Sequence, residues 1–243
     1  MLVAIHQPNY LPWIGYLDRM VKADVFVILD HVQFERRNYQ NRTQILIEGE
    51  PRWLTVPVVQ LSQKEKIIDK RVDNSETDSR QWGPNHFKTL RYAYRKAPFF
   101  DQYAPRLQEI LESRWDLLVD LNMATLQFLR DAYGIRTPLR LSSEMNPEGA
   151  RSELLLDICR RVGPGSAFLG GLGGSRRYLD HEAFTRAGIG VQWQQLEHPV
   201  YPQCHGGEFV RGLTSLDLLF NAGPRAGEIL HGLAETTDER VAA

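Results

Sequence analysis

Two short apolar runs, Leu2–Ile5 and Val25–Leu29, bracket a segment with helical spacing, and this arrangement restricts the fold more than any other stretch of the chain. The first run meets His6-Gln7-Pro8-Asn9-Tyr10-Leu11-Pro12, whose prolines remove the backbone donors that a strand ladder needs, so a loop follows the strand. From Pro12 the apolar residues Ile14, Leu17, Met20 and Val21 recur on one helical face, and Pro12 suits a first turn. Strand, crossover helix and strand within about thirty residues make a βαβ unit, which requires parallel strands and a right-handed connection. Ligands of such open sheets bind beyond the carboxyl ends of the strands. Those ends carry His6-Gln7 and Asp30-His31.

Further along, Gln44–Glu48 and Trp53–Val59 flank Gly49-Glu50-Pro51, which reads as a hairpin turn. Residues 60–80 are polar and charged and read as a surface excursion. Helical periodicity returns over 84–96, 100–112 and 115–133, where Leu118, Leu121, Leu126 and Leu129 fit a core face. The last third repeats the α/β rhythm: an apolar segment near Leu139, a helix over 151–161, a strand at Ala167–Leu169, a glycine-rich loop, a helix, and a strand at Gly190–Gln194. The fold class expected is α/β: a Rossmann-like, mostly parallel sheet with a β-hairpin insertion and a helical middle region. No low-complexity linker divides the chain, so residues 1–234 read as one domain and the polar residues 235–243 as a flexible tail.

With 29 basic and 30 acidic residues the net charge is −1, so no overall field draws the chain to nucleic acid, and an anionic ligand needs a local site. No stretch approaches the roughly 18 consecutive apolar residues of a membrane span, so no membrane insertion is expected. Met1–Ile5 lacks the basic flank of a signal peptide, which points to the cytoplasm. Cys159 and Cys204 form no CxxC pair, which argues for a reducing compartment and against a disulfide framework or zinc ribbon. Nothing in the spacing of His6, His31, His198 and His205 marks a metal site, and no cofactor is singled out.

Three loops carry the candidate chemistry. His6, at the mouth of the first strand, suits proton transfer, or simply satisfies loop carbonyls. Gln7, Asn9 and Tyr10 add amide and phenol groups to the same loop, while Asp30 and His31 set a carboxylate and an imidazole at the neighbouring strand end. Arg36, Arg37 and Arg42, with Asn38 and Asn41, form a basic, amide-rich stretch suited to phosphate or carboxylate oxygens. In Gly170-Gly171-Leu172-Gly173-Gly174-Ser175-Arg176-Arg177, glycines let a backbone approach a ligand and Ser175 and Arg176 can contact oxyanions, between a strand and a helix. This is neither a Walker A nor a GxGxxG sequence. Cys204-His205 invites a nucleophile reading, but adjacency in sequence is poor support for one.

The segment Ile5-His6-Gln7-Pro8-Asn9-Tyr10-Leu11-Pro12-Trp13-Ile14-Gly15-Tyr16 resembles the opening motif of the WbqC-like family. Val32-Gln33-Phe34, Asn41-Arg42, the strand Trp53-Leu54-Thr55-Val56-Pro57-Val58, His86-Phe87-Lys88-Thr89-Leu90, Tyr178-Leu179 and Leu216-Asp217-Leu218-Leu219-Phe220-Asn221 extend the likeness over most of the chain. The resemblance implies a transferase of surface-polysaccharide or natural-product biosynthesis that attaches an acyl or aminoacyl group to an amine of an amino-sugar-like substrate. His6 would be the base, Tyr10 and Asp30 would orient it, and Arg42 and Arg176 would hold anionic oxygens. Tyr201 and Gln203 fit the family-like pattern as pocket residues. Partners implied are a sugar or nucleotide-sugar-like small molecule and an acyl or aminoacyl carrier protein. Two alternatives stand beside it: a non-catalytic sugar- or nucleotide-binding module, and an amide ligase diverged from adenylate-forming nucleotidyltransferases. Against the latter, Trp13-Ile14-Gly15-Tyr16 stands where those enzymes carry two histidines.

Overall fold

In chain order the elements are β1 (Leu2–His6), α1 (Ile14–Lys22), β2 (Val25–Ile28), β3 (Arg42–Ile47), β4 (Glu50–Thr55), α2 (Trp82–Tyr94), α3 (Phe100–Glu112) and α4 (Leu118–Tyr133). There follow β5 (Leu139–Leu141), α5 (Ser142–Met145), α6 (Ser152–Val162), β6 (Ala167–Gly170), α7 (Ser175–Tyr178), α8 (His181–Arg186), β7 (Gly190–Trp193), α9 (Ser215–Ala222) and α10 (Arg225–Val241). These come from a computed structural model that describes residues 1–62, 64–171, 173 and 175–241.

Five strands pair in parallel in the order β5-β2-β1-β6-β7, so the expected adjacency of β1 and β2 holds, with Val3 opposite Val25 and His6 opposite Ile28. Within this sheet the first three strands in chain order step outward from β1 to β2 to β5. The chain then returns to lay β6 on the other side of β1 and continues to β7. Strand order therefore reverses beside β1, and connections leaving β1 and β6 diverge there, which opens a crevice at their carboxyl ends.

Alternation along the strands builds a core on each face. Val3, Ile5, Val25, Val27 and Phe168 join Leu154, Ile158 and Cys159 of α6 and Phe184 of α8. Ala4, Phe26, Ile28 and Leu169 join the larger core under α1, α4, α9 and α10, where Leu118, Leu121, Leu126 and Leu129 are all buried as their spacing predicts.

The hairpin differs in register from the sequence reading. Ile47 pairs with Glu50, so the turn is Glu48-Gly49, both at positive φ (53° and 78°), the two-residue geometry that matches strand twist. Pro51 sits inside β4 opposite Leu46. Residues 60–80 are also less superficial than expected: bridges link Gln33 to Lys66, Val58 to Val72 and Arg71 to Leu117, and Ile67 is fully buried. α10 carries helical backbone to Val241, across most of the stretch read as a tail. No helix among the described residues is long and apolar enough to cross a membrane.

Candidate functional site

The crevice at the β1/β6 reversal is a cleft of about 480 Å³ whose walls include His6, Gln7 and Asn9 after β1, Tyr16 and Arg19 on α1, and Gly171 after β6. A slightly larger groove of about 530 Å³, lined by Tyr103, Ile110, Trp115 and Phe128, lies between α3 and α4. The crevice is the better candidate, because it stands where open α/β sheets bind ligands and because buried polar groups converge on it.

Its inner wall is held firmly. In the β1–α1 loop Leu11 adopts a positive φ of 43°, a conformation costly for a branched residue. The hydroxyls of Thr43 and Thr214 both donate to the Leu11 carbonyl at 2.9 Å. Tyr10 N donates to the Tyr39 carbonyl at 3.0 Å and Ser215 N to the Pro12 carbonyl at 2.8 Å. The Gln7 side-chain oxygen accepts from Gln40 Nε2 at 2.9 Å, which fixes the Gln7 side chain in the cleft wall. Asn38 and Tyr39 also line the cleft.

His6 Nδ1 lies 2.9 Å from the Gln7 carbonyl. A carbonyl only accepts, so Nδ1 carries the hydrogen and Nε2 presents a lone pair. Burial, followed by the nearby Arg19 charge, holds the His6 pKa down to about 3 although the Gln7 bond opposes this. The ring packs edge-on against Tyr16 at 4.9 Å. The imidazole is therefore neutral throughout the physiological range.

Arg19 is 5% exposed. Its Nη2 donates weakly to the Ile5 carbonyl at 3.4 Å, its Nε is buried without a partner, and it makes no ion pair among the described residues. Asp18, next in sequence, favours the Arg19 charge from a distance, but its carboxylate is bound by Lys22 at 2.9 Å and Gln194 at 2.6 Å. Burial pushes the guanidinium pKa down to about 10. The Tyr16 hydroxyl is also buried and unpartnered. Gly171 covers this group: a Cβ there would collide with the Arg19 guanidinium. Gly170 serves Trp193 in the same way. Two glycines of the run thus make room for the protein's own side chains, whereas Gly173 faces open space in the cleft wall.

The structure brings His6, Gln7, Asn9, Asn38, Gly171 and Gly173 together, and places the other sequence candidates elsewhere. Tyr10 turns into the core, where its hydroxyl donates to His86 Nδ1 at 2.9 Å while His86 Nε2 binds the Thr55 carbonyl at 3.1 Å. Asp30 is fully buried and accepts from the Ser142 hydroxyl, the Ser143 amide and the Ser143 hydroxyl at 2.6–2.9 Å; it fixes the β5–α5 junction instead of orienting His6. Arg42 stacks 3.9 Å over Trp53 and bonds the Arg37 carbonyl. Tyr201 and Gln203 both donate to Asp217, at 2.8 and 2.9 Å. Arg176 is exposed, 5.2 Å over the Trp193 ring, and α7 is a single turn, too short for the phosphate cradle expected of the loop. Gly174 and the Ser175 side chain lie outside the described residues. Burial raises the Cys204 pKa, with Asp217 adding to the effect, so the thiolate is disfavoured.

Arg19 and Tyr16 are the groups that sequence reading missed. As a charged residue on a helix Arg19 ordinarily reads as solvated, and Gly171 of the β6 loop packs against its guanidinium; Tyr16 is buried against His6 and Phe26.

Fold and cleft together define a doubly wound α/β protein with a polar crevice at its switch point. The chain belongs to the WbqC-like protein family, whose family model matches residues 7–229. It is 31% identical over 230 residues to a protein of Mycobacterium tuberculosis described as uncharacterized, a match that covers 94% of this chain and 96% of that protein. No solved structure gives a significant match.

Proposed function

We propose that the protein is a transferase that attaches an acyl or aminoacyl group to the amine of an amino-sugar-like substrate held in the β1/β6 crevice. The observation that carries this reading is His6: a neutral imidazole whose Nδ1 is fixed on a backbone carbonyl while Nε2 presents an acceptor to a preorganised cleft. A base with a pKa of about 3 provides little driving force for early proton removal at neutral pH. His6 therefore acts first by accepting a hydrogen bond from the attacking amine and orienting its lone pair. As the nitrogen–carbon bond forms and the bond from the acyl carbon to its carrier sulfur or oxygen breaks, the proton leaving nitrogen passes through Nε2 to the departing atom. Gln7, Asn9 and Asn38 suit recognition of sugar hydroxyls or amides. A role in surface-polysaccharide or related biosynthesis, with a carrier protein as donor, is what the family resemblance suggests.

The test incubates purified protein with a panel of nucleotide-linked amino sugars and thioester or activated-ester donors, with products read by mass. An acylated or aminoacylated sugar that forms with the native chain and is lost in His6→Ala is the expected result. Saturable binding of the sugars with no product across the panel would contradict the reading and favour a binding module.

A further inference from the structure

We propose that Arg19 and Tyr16 form an oxyanion seat at the floor of the crevice, which recognises a single phosphoryl or carboxylate group of the ligand. The two residues lie three apart on α1 and so share a face. Each carries a polar atom that is buried and unpartnered, the Arg19 Nε and the Tyr16 hydroxyl, and each lines the same cleft. Buried polar groups are almost always paired inside a fold, so two adjacent orphan donors call for a partner from outside it. That partner must be an acceptor, since a guanidinium cannot accept, and an anion suits it best, since neither Asp18 nor Glu35 is ion-paired with Arg19. Asp18, whose charge favours that of Arg19, is ion-paired with Lys22 and hydrogen-bonded by Gln194, although its Oδ1 accepts no hydrogen bond. Glu35, also in the cleft wall, accepts from Asn38 at 2.7 Å. A metal ion is excluded by the same positive charge. Gly171 keeps the seat: any side chain there would displace the guanidinium.

One cation and one hydroxyl match the donor needs of one oxyanion group, a phosphoryl or a carboxylate. The seat deepens the reading above, resting on the crevice as the substrate site but not on transfer chemistry. The test measures direct binding of inorganic phosphate and of acetate by calorimetry, with chloride at equal ionic strength as control, on the native chain, Arg19→Met, Tyr16→Phe and Gly171→Ala, each checked for folding by circular dichroism. The expected result is saturable binding of at least one anion, weakened by at least about tenfold in Arg19→Met and less in Tyr16→Phe. Gly171→Ala should behave like Arg19→Met with the arginine still in place. Tighter phosphate assigns a phosphoryl group, tighter acetate a carboxylate. Binding no stronger than chloride, or unchanged in folded Arg19→Met or, should that variant not fold, in Tyr16→Phe, overturns the seat. Normal anion binding together with no transfer of any donor would keep the seat and sink the transferase reading.

Discussion

Arg19 and Lys70 are both buried cations, 5% and 1% exposed, and the fold completes one and not the other. Lys70 Nζ sits 2.6 Å from the Glu65 carboxylate and 5.1 Å over the Phe34 ring, so its charge is balanced within the structure. Arg19 has one long bond to a carbonyl and an orphan Nε. The histidines repeat the contrast. His86 has both nitrogens engaged, by Tyr10 and Thr55, whereas His6 has one engaged and one facing the cleft. A polar group whose bonds are all made inside the fold contributes to stability. One left incomplete at a strand-order reversal costs stability and is open to a ligand.

The largest effect that sharpens this comparison is expected at His6. His6→Ala should lower turnover about 100-fold to 10,000-fold while costing about 1–3 kcal/mol of stability through the lost packing on Tyr16, and His6→Gln should lower turnover with a smaller stability cost, read from steady-state rates and urea melts on one preparation. Because burial holds the pKa near 3, His6 should impose no change in rate between about pH 5 and 8. A loss of activity below neutrality that disappears in His6→Gln would show a titrating base and contradict the neutral imidazole.

His86 should act on stability and not on turnover, adding to the acid-side loss that the lowered His6 pKa also imposes. The His86 pKa is lowered from 6.5 to about 4 by burial, against the Thr55 bond. The unfolded chain therefore takes up a proton first as pH falls through 6.5, and stability declines until the folded form protonates near 4. The loss is on the order of 3 kcal/mol over that window. Urea melts from pH 7 to 4 on the native chain and His86→Gln measure it; an equal slope in both would remove the assignment.

For Lys70→Met the expected cost is about 1–3 kcal/mol, below that of a wholly buried pair because Glu65 can recover water. The Glu65 pKa lies below its ordinary 4.5, owing first to the Lys70 hydrogen bond. Its contribution is therefore complete above about pH 4.5 and is lost as pH falls through the depressed folded value. Lys70→Met should flatten that acid limb, and an unchanged limb would break the contrast with Arg19.

Much of the fold was legible because it rests on periodicity. Alternation and short apolar runs located β1, β2, β6 and β7, and helical spacing placed the leucines of α4. The hairpin slipped because Gly49-Glu50-Pro51 is a plausible turn by composition, while strand twist selects Glu48-Gly49 with both residues at positive φ. The site was half legible. A strand end tells where the following residues begin, which is why His6, Gln7 and Asn9 were found. It does not tell which way each side chain turns: Tyr10, three residues beyond Gln7, points into the core toward His86, and Asp30 is consumed by two serines that arrive from β5–α5 more than a hundred residues later. Arg19 was invisible for the same reason in reverse, since the loop that packs against its guanidinium is distant in sequence.

The melting temperature of ligand-free Arg19→Met tests most directly whether the crevice holds an incomplete group. Replacing a buried, unpaired cation with an apolar side chain of similar length should raise stability by about 1–3 kcal/mol, or about 2–8 °C for a chain of this size, the opposite sign to Lys70→Met. A fall in melting temperature comparable to that of Lys70→Met would mean that Arg19 is already satisfied within the fold, and the crevice would lose the feature that marks it as a binding site.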